Sequence, residues 1–319
     1  MVVHPGSNVC GMRIGFGLPV AGAWAHPDTI ARLGRRAEDL GYDSLWTFQR
    51  LLVAADEEPA PVYRSVLDPL ISLAFAAANT SRIRLGVAIV NLPFVSPTYL
   101  AKQAATLDVL SGGRFDLGLG TGWSPVEFTA TGAEPARRGA RVAEYLAALH
   151  TLWADEVSEF HGEFYEIPPS RMAPKPVQRP GPPVLLGGTV PTALRRAGRL
   201  AAGWVSSSRA DLNKIAEAAA AVRDAAKQAG RDPALVRIIC RGVVQAGALV
   251  AGDDRARLAG SYAQIRDDTS WLETQGVTEV FYDLNWDPLI GSPDTDPAAA
   301  AERGGEILEA LAPGSTPVP

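Results

Sequence analysis

The sequence predicts an α/β fold, a (β/α)8 barrel with an insertion between the fourth helix and the fifth strand. Three observations predict it. Strand-like and helix-like segments alternate along the whole chain. Several strands are nearly unbroken apolar runs of the kind that parallel sheets bury on both faces. The length of 319 residues suits one barrel with an insertion better than an open doubly wound sheet.

The first strand is read at Arg13–Gly17, followed by a helix from about Asp28 to Leu40. That helix puts Ile30, Leu33, Ala37 and Leu40 on one stripe and stops at Gly41. Ser44–Phe48 and a helix from about Leu67 to Ala78 form the second pair. The third strand, Arg82–Val90, leads to Ser96-Pro97, an N-cap followed by a first-turn proline, and Gly112-Gly113 ends that helix. Phe115–Leu119 is the fourth strand, and a helix spans roughly Ala136–Trp153. The insertion, about residues 154–183, is proline-rich, has no helical pattern and contains a hairpin-like run at 159–165. Val184–Leu186, Trp204–Ser206, Val236–Arg241 and Thr278–Tyr282 complete the strands. Their helices are expected at Pro191–Leu200, Asp211–Ala229, about Asp254–Thr274 and near Ala298–Leu311. The expected organisation is a disordered leader at 1–12, a single domain at 13–312 and a disordered Pro/Gly/Ser-rich tail at 313–319.

Composition narrows the function. A chain that is 47% hydrophobic and 20% charged, with formal charge −5, is ordinary for a globular protein and argues against nucleic acid or an anionic membrane as partner. No run approaches the roughly 20 apolar residues of a membrane span, and residues 1–12 do not read as a signal peptide. Cys10 and Cys240 lie in a leader and in a buried strand, so no disulfide is expected and a cytoplasmic location follows.

In such a barrel the site lies at the carboxyl ends of the strands. That rule nominates Gln49 and Arg50, Asn91, Thr121 to Trp123, Gly187 to Thr189, Ser206 to Arg209, Arg241 and Gln245, and Asp283 and Asn285. Of the four histidines, His4, His26, His150 and His161, none ends a strand. Neither a histidine-rich metal site nor a Ser/His/Asp triad is therefore supported, and no metal is expected. Chemistry without an evident protein acid, base or nucleophile points to a cofactor. Leu185-Leu186-Gly187-Gly188-Thr189 offers backbone N–H groups, a helix amino terminus and a hydroxyl, which is either a phosphate seat or a tight turn with Thr189 as cap. Gly120-Thr121-Gly122 carries a weaker form of the same signal.

Several motifs in fixed order are more specific than any one of them. RIGFGLP at 13–19, LGYDSLW at 40–46, the segment 82–128 with its LSGGR and GTGW, FHGEFY at 160–165, KPVQRPGPPVLLGG at 175–188 and the run 195–204 all fit one pattern. The chain resembles the bacterial luciferase-like flavin and deazaflavin superfamily, and most closely its F420-dependent oxidoreductase branch. That resemblance implies a barrel that forms a homodimer, a deazaflavin F420 cofactor with FMN as the alternative, and a small organic substrate. It leaves room for a separate reductase that supplies reduced cofactor. It places the ring against the end of the third strand, with a non-prolyl cis peptide at Ala88–Ile89 and Asn91 at the ring edge. It assigns the phosphates to Gly187, Gly188 and Thr189, with Thr121 and Gly122 as further contacts. The chain departs from the branch after the second strand, where an acidic residue and a histidine are replaced by Gln49 and Arg50. An arginine stays protonated and cannot act as a general acid or base near neutrality. Arg50 either binds an anionic substrate, a cofactor carboxylate or developing negative charge, or forms a salt bridge with Asp56, Glu57 or Glu58. Gln49 and Arg50 are the catalytic candidates. Phe48, Trp123, Asp283 and Asn285 are the substrate candidates, in an apolar pocket that adds Leu92, Phe94 and Trp286. Three readings stay open: an F420-dependent hydride-transferring oxidoreductase, an FMN-dependent monooxygenase using O2, and a non-catalytic flavin-binding protein.

Overall fold

In a computed structural model, which describes residues 11–252 and 255–314, eight parallel strands close into a barrel. Twelve strands occur in chain order: β1 (Arg13–Gly17), β2 (Ser44–Thr47), β3 (Arg84–Asn91), β4 (Phe115–Gly120), β5 (Ser158–His161), β6 (Glu166–Ser170), β7 (Val184–Gly187), β8 (Gly203–Val205), β9 (Arg237–Val243), β10 (Gln245–Ala246), β11 (Ala259–Gly260) and β12 (Glu279–Asp283). The barrel runs β1-β12-β9-β8-β7-β4-β3-β2, while β5–β6 and β10–β11 are separate two-stranded ribbons. The helices are α1 (Pro27–Asp39), α2 (Pro69–Asn79), α3 (Pro97–Leu110), α4 (Pro125–Thr131), α5 (Arg138–Ala154), α6 (Pro191–Leu200), α7 (Ile215–Gln228), α8 (Tyr262–Thr274) and α9 (Pro297–Ala310). Leader residues 1–10, with His4 and Cys10, and tail residues 315–319 lie outside the described residues.

The alternation is as the sequence predicts, with differences at element ends. The short α4 has no counterpart in the expected order, because seven residues give too few turns for a hydrophobic stripe to repeat. α8 starts at Tyr262 instead of near residue 254. Ser261 closes a capping box there, its hydroxyl accepting from the Gln264 N–H while the Gln264 carboxamide accepts from the Ser261 N–H. α3 is built as its residues suggest: Ser96 accepts from the Tyr99 N–H, and Gly112 and Gly113 stop it at positive φ.

The barrel interior is layered. At the amino-terminal end sits a polar network in which Asp116 takes both Arg84 and Arg237, and Glu279 takes Arg237, Arg13, Ser44 and the Trp46 indole. Burial alone would raise the Asp116 carboxyl, but Arg237 and Arg84 outweigh it and hold it well below the usual carboxylate range. Above this lies an apolar layer of Trp46, Ala88, Leu185, Val205, Ile239 and Phe281, with Trp46 and Phe281 stacked at 5.1 Å.

The strand that carries the site is interrupted on purpose. β3 pairs Val87 with Leu117 and Val90 with Leu119, so one extra residue is accommodated as a bulge, and the Ala88–Ile89 peptide inside it is cis. Glycine makes room for it. A Cβ on Gly118 would lie 2.0 Å from the Val87 carbonyl oxygen, and one on Gly120 would lie 2.5 Å from Ile89 Cδ1. The bulge and the glycines of the neighbouring strand therefore require each other.

Candidate active site

The carboxyl ends of β2, β3, β4, β7, β8 and β9 surround a cavity of about 340 Å³. Ala88, Ile89 and Asn91 line it from the bulged strand, Thr121, Gly122 and Trp123 from the β4 loop, and Gly187, Gly188 and Thr189 from the β7 loop. Phe48, Gln49, Arg241 and Ser206 to Ser208 complete much of the wall. The structure thus brings all eight residues expected to hold the cofactor to one cavity, together with Phe48, Gln49 and Trp123. Among the described residues no histidine, cysteine, lysine or carboxylate lines it.

Each wall is fixed from behind. The Gln49 carboxamide oxygen accepts from the Asn91 N–H at 2.8 Å, tying the end of β2 to the end of β3. Among the described residues the Asn91 side chain has no hydrogen-bond partner of its own, although the residue is only 6% exposed. On the β7 side Gly188 has φ +134°, and a Cβ there would lie 2.5 Å from the Ala193 Cβ. Its carbonyl accepts from the Trp204 indole at 2.8 Å. Thr189 does not cap α6. The N-cap is Val190, with no side-chain bond, and Pro191 follows. The Thr189 hydroxyl stands exposed at this lip, while Pro191 has no N–H and the Ala193 and Leu194 N–H groups donate to the Val190 carbonyl.

Among the described residues Arg241 is the one charged side chain on the wall, and it is anchored. Its Nε donates to Asp283 at 2.7 Å, its Nη1 donates to the Ala88 carbonyl at 3.2 Å, and its guanidinium carbon lies 4.6 Å from the centre of the Phe48 ring. Asp283 and Asn285 therefore do not serve as substrate contacts. Asp283 is 1% exposed and accepts from Arg241 and from Asn285. Asn285, also 1% exposed, accepts from Val20, Ala21 and the Trp24 indole and donates to Leu18. Asp283 ends β12, whereas Asn285 lies in the 3-10 turn Leu284–Trp286, where strand alternation does not apply, and the bonding capacity of both is used within the protein.

The expected apolar pocket is also corrected. Leu92 is buried in the core, Phe94 packs edge-on against Phe128 at 5.0 Å, and Trp286 packs edge-on against Tyr63 at 5.2 Å, leaving Phe48 as the member on the cavity wall. Tyr63, absent from the sequence candidates, lines the cavity from a 3-10 turn, Pro61–Tyr63. The proline and aromatic in the loop after β2 were its only sequence signal.

Arg50 is buried, 7% exposed, between the rings of Tyr63 (5.0 Å) and Trp123 (4.7 Å). Its acidic neighbour is Glu127, 3.7 Å from Nε, and not Asp56, Glu57 or Glu58. Glu127 Oε1 itself accepts from the Leu51 and Leu52 N–H groups at 2.8 and 3.4 Å. Among the described residues no cluster of three or more His, Cys, Asp or Glu is placed to hold a metal ion.

A sequence profile of the luciferase-like monooxygenase family matches residues 11–290. The chain belongs to that family. It is 38% identical over 249 residues to an uncharacterized protein of Mycobacterium tuberculosis, with 77% of each chain covered. It is 33% identical over 171 residues to 4-hydroxyprotoasukamycin monooxygenase of Streptomyces nodosus subsp. asukaensis, covering 53% of this chain and 44% of that one. A solved structure, the coenzyme F420-dependent tetrahydromethanopterin reductase of Methanopyrus kandleri, superposes with a TM-score of 0.73 at 19% identity, covering 92% of this chain and 98% of the other. The chain thus has a monooxygenase among its relatives and shares its fold with a coenzyme F420-dependent reductase, and no helix among the described residues is long and apolar enough to cross a membrane.

Proposed function

We propose that the protein is an F420-dependent oxidoreductase that moves a hydride between the deazaflavin and a small organic substrate. One observation carries this reading: the cavity wall presents apolar backing, hydrogen-bond donors and acceptors, and glycines, but among the described residues no histidine, carboxylate, lysine or cysteine. When bound, F420 supplies the hydride. Asn91, whose carboxamide is unpartnered, would bond the polar edge of the ring, and the Ala88–Ile89 backbone would back its face. Gly187, Gly188 and Thr189 would hold the phosphate, with Thr121 and Gly122 beside it. Arg241 steadies the Ala88 carbonyl, and Phe48, Tyr63 and Trp123 exclude water from the space left for substrate. Arg50 and Gln49 act by binding and positioning, the one through its guanidinium donors and the other through its carboxamide. The reading includes a homodimer in the cytoplasm.

A second reading, an FMN-dependent monooxygenase fed by a separate reductase, is favoured by the two monooxygenase relatives, 30% and 33% identical over about half of this chain. Fluorescence titration with F420 and with FMN separates the two. Saturable F420 binding, followed by anaerobic oxidation of reduced F420 on addition of substrate, is the expected result. Tight FMN binding without F420 binding would reject the first reading, and O2 consumption with reduced FMN would establish the second.

A further inference from the structure

Resting on the reading of this cavity as a redox site, we infer that its substrate is a small organic acid whose carboxylate is received by Arg50. Arg50 Nε and Nη1 are both buried with no hydrogen-bond partner. Glu127 balances part of the charge but at 3.7 Å makes no hydrogen bond, and its nearer oxygen is occupied by the Leu51 and Leu52 N–H groups. A buried guanidinium with two idle donors is an unfavourable arrangement unless something else accepts from it.

A second donor points to the same place. The Trp286 indole N–H is also buried without a partner, and Trp286 packs on Tyr63, the ring on which Arg50 stacks. Two unrelated elements therefore bring orphan donors against one tyrosine that lines the cavity. Two further arginines stand close by: Arg209 lies 5.9 Å from the Trp123 ring and Arg138 donates to the Gly122 carbonyl. Trp123, one of the two rings that flank Arg50, is 54% exposed, so the Arg50 fork is separated from solvent on that side by a single indole. A planar carboxylate matches that fork in shape and charge, whereas a neutral amide of the same skeleton matches only in shape.

The test is calorimetric. Cofactor-loaded protein is titrated with benzoate, phenylacetate and hexanoate and with the carboxamide of each, at fixed ionic strength. At least one acid is expected to bind about tenfold or more tightly than its amide, as charge-assisted bidentate pairing requires. Arg50→Gln should erase that preference and Arg50→Lys should restore part of it, while cofactor affinity stays within about twofold because the cation does not serve the cofactor. Arg50→Gln/Glu127→Gln repeats the measurement without an unpaired carboxylate, should the single variant fold poorly. Acids binding no better than amides, or a preference that survives in Arg50→Gln, would overturn the inference. So would a variant that loses cofactor and keeps the acid. Running the same titrations on protein without cofactor keeps this result separate from failure of the F420 reading, which the cofactor titration reports on its own.

Discussion

At the scale of single residues, the site shows how little of a side chain's role follows from its position alone. Asp283 ends β12 and Arg241 lies near the end of β9, yet only the arginine reaches the cavity, and it does so as the last link of a chain that begins at Asn285. Arg241→Gln leaves Asp283 as a buried carboxylate without its cation. We expect a loss of about 3–5 kcal/mol in stability, the usual cost of removing one partner of a buried pair, read by urea denaturation. Glu38 supplies a second prediction. Partial burial would raise its carboxyl, but N–H groups of Ile83, Arg82 and Ser81 and the Ser81 hydroxyl bring it down to about 2. The unfolded chain binds that proton near pH 4.5, so the stabilisation is complete above this pH and disappears as pH falls toward 2. Glu38→Gln should therefore be less stable than the parent at pH 7, with the gap narrowing in acid. A gap independent of pH would show that the charge contributes nothing.

At the scale of elements, periodicity and punctuation in the sequence were enough to find all eight barrel strands and their order. The bounds of α6 at Pro191–Leu200 were read without error, since a proline start and a clear stripe frame it. Residues with only local signals were harder. α4 is too short to repeat a pattern, and the start of α8 was written in Ser261 and Gln264 but masked by a long polar approach. The cis peptide at Ala88–Ile89 was foreseen through resemblance alone, because no propensity of alanine or isoleucine announces it. Asp283 and Asn285 were misassigned for a related reason. Strand alternation gives the side a residue faces, whereas the partners of Asn285 come from the loop after β1, more than 250 positions away, and Asp283 is held by Arg241 of β9. The glycines of β4 test the fit between neighbouring strands. Gly118→Ala would push a Cβ to 2.0 Å from the Val87 oxygen, which is backbone and cannot yield cheaply. A loss of about 2 kcal/mol or more is expected, seen as a lowered Tm and weakened cofactor binding together. Gly41→Ala, with nothing within 4 Å, should lower stability slightly through its positive φ and leave the cavity untouched.

At the scale of the whole molecule, the barrel separates stability from chemistry along its axis. The amino-terminal end is closed by the Arg84–Asp116–Arg237–Glu279 network, and the carboxyl end is left open for ligand. Arg237→Met removes a cation shared by Asp116 and Glu279, so unfolding should come about 3 kcal/mol or more sooner. The protein that remains folded should bind cofactor as before, because the apolar layer of Trp46, Ala88, Leu185, Val205, Ile239 and Phe281 lies between the two ends. A parallel loss of affinity would mean that the two ends are coupled through that layer. The central claim concerns the open end: the cavity over Ala88–Ile89, with the Gly188 lip, is the seat of a tricyclic redox cofactor. Its most direct measurement is a fluorescence titration of F420 into the parent protein and into Gly188→Val, with circular dichroism to establish that both are folded. Saturation at one F420 per chain in the parent, and affinity at least about tenfold weaker in the variant, is the predicted result; equal affinities in the two proteins, or no binding of either F420 or FMN to the parent, would contradict it.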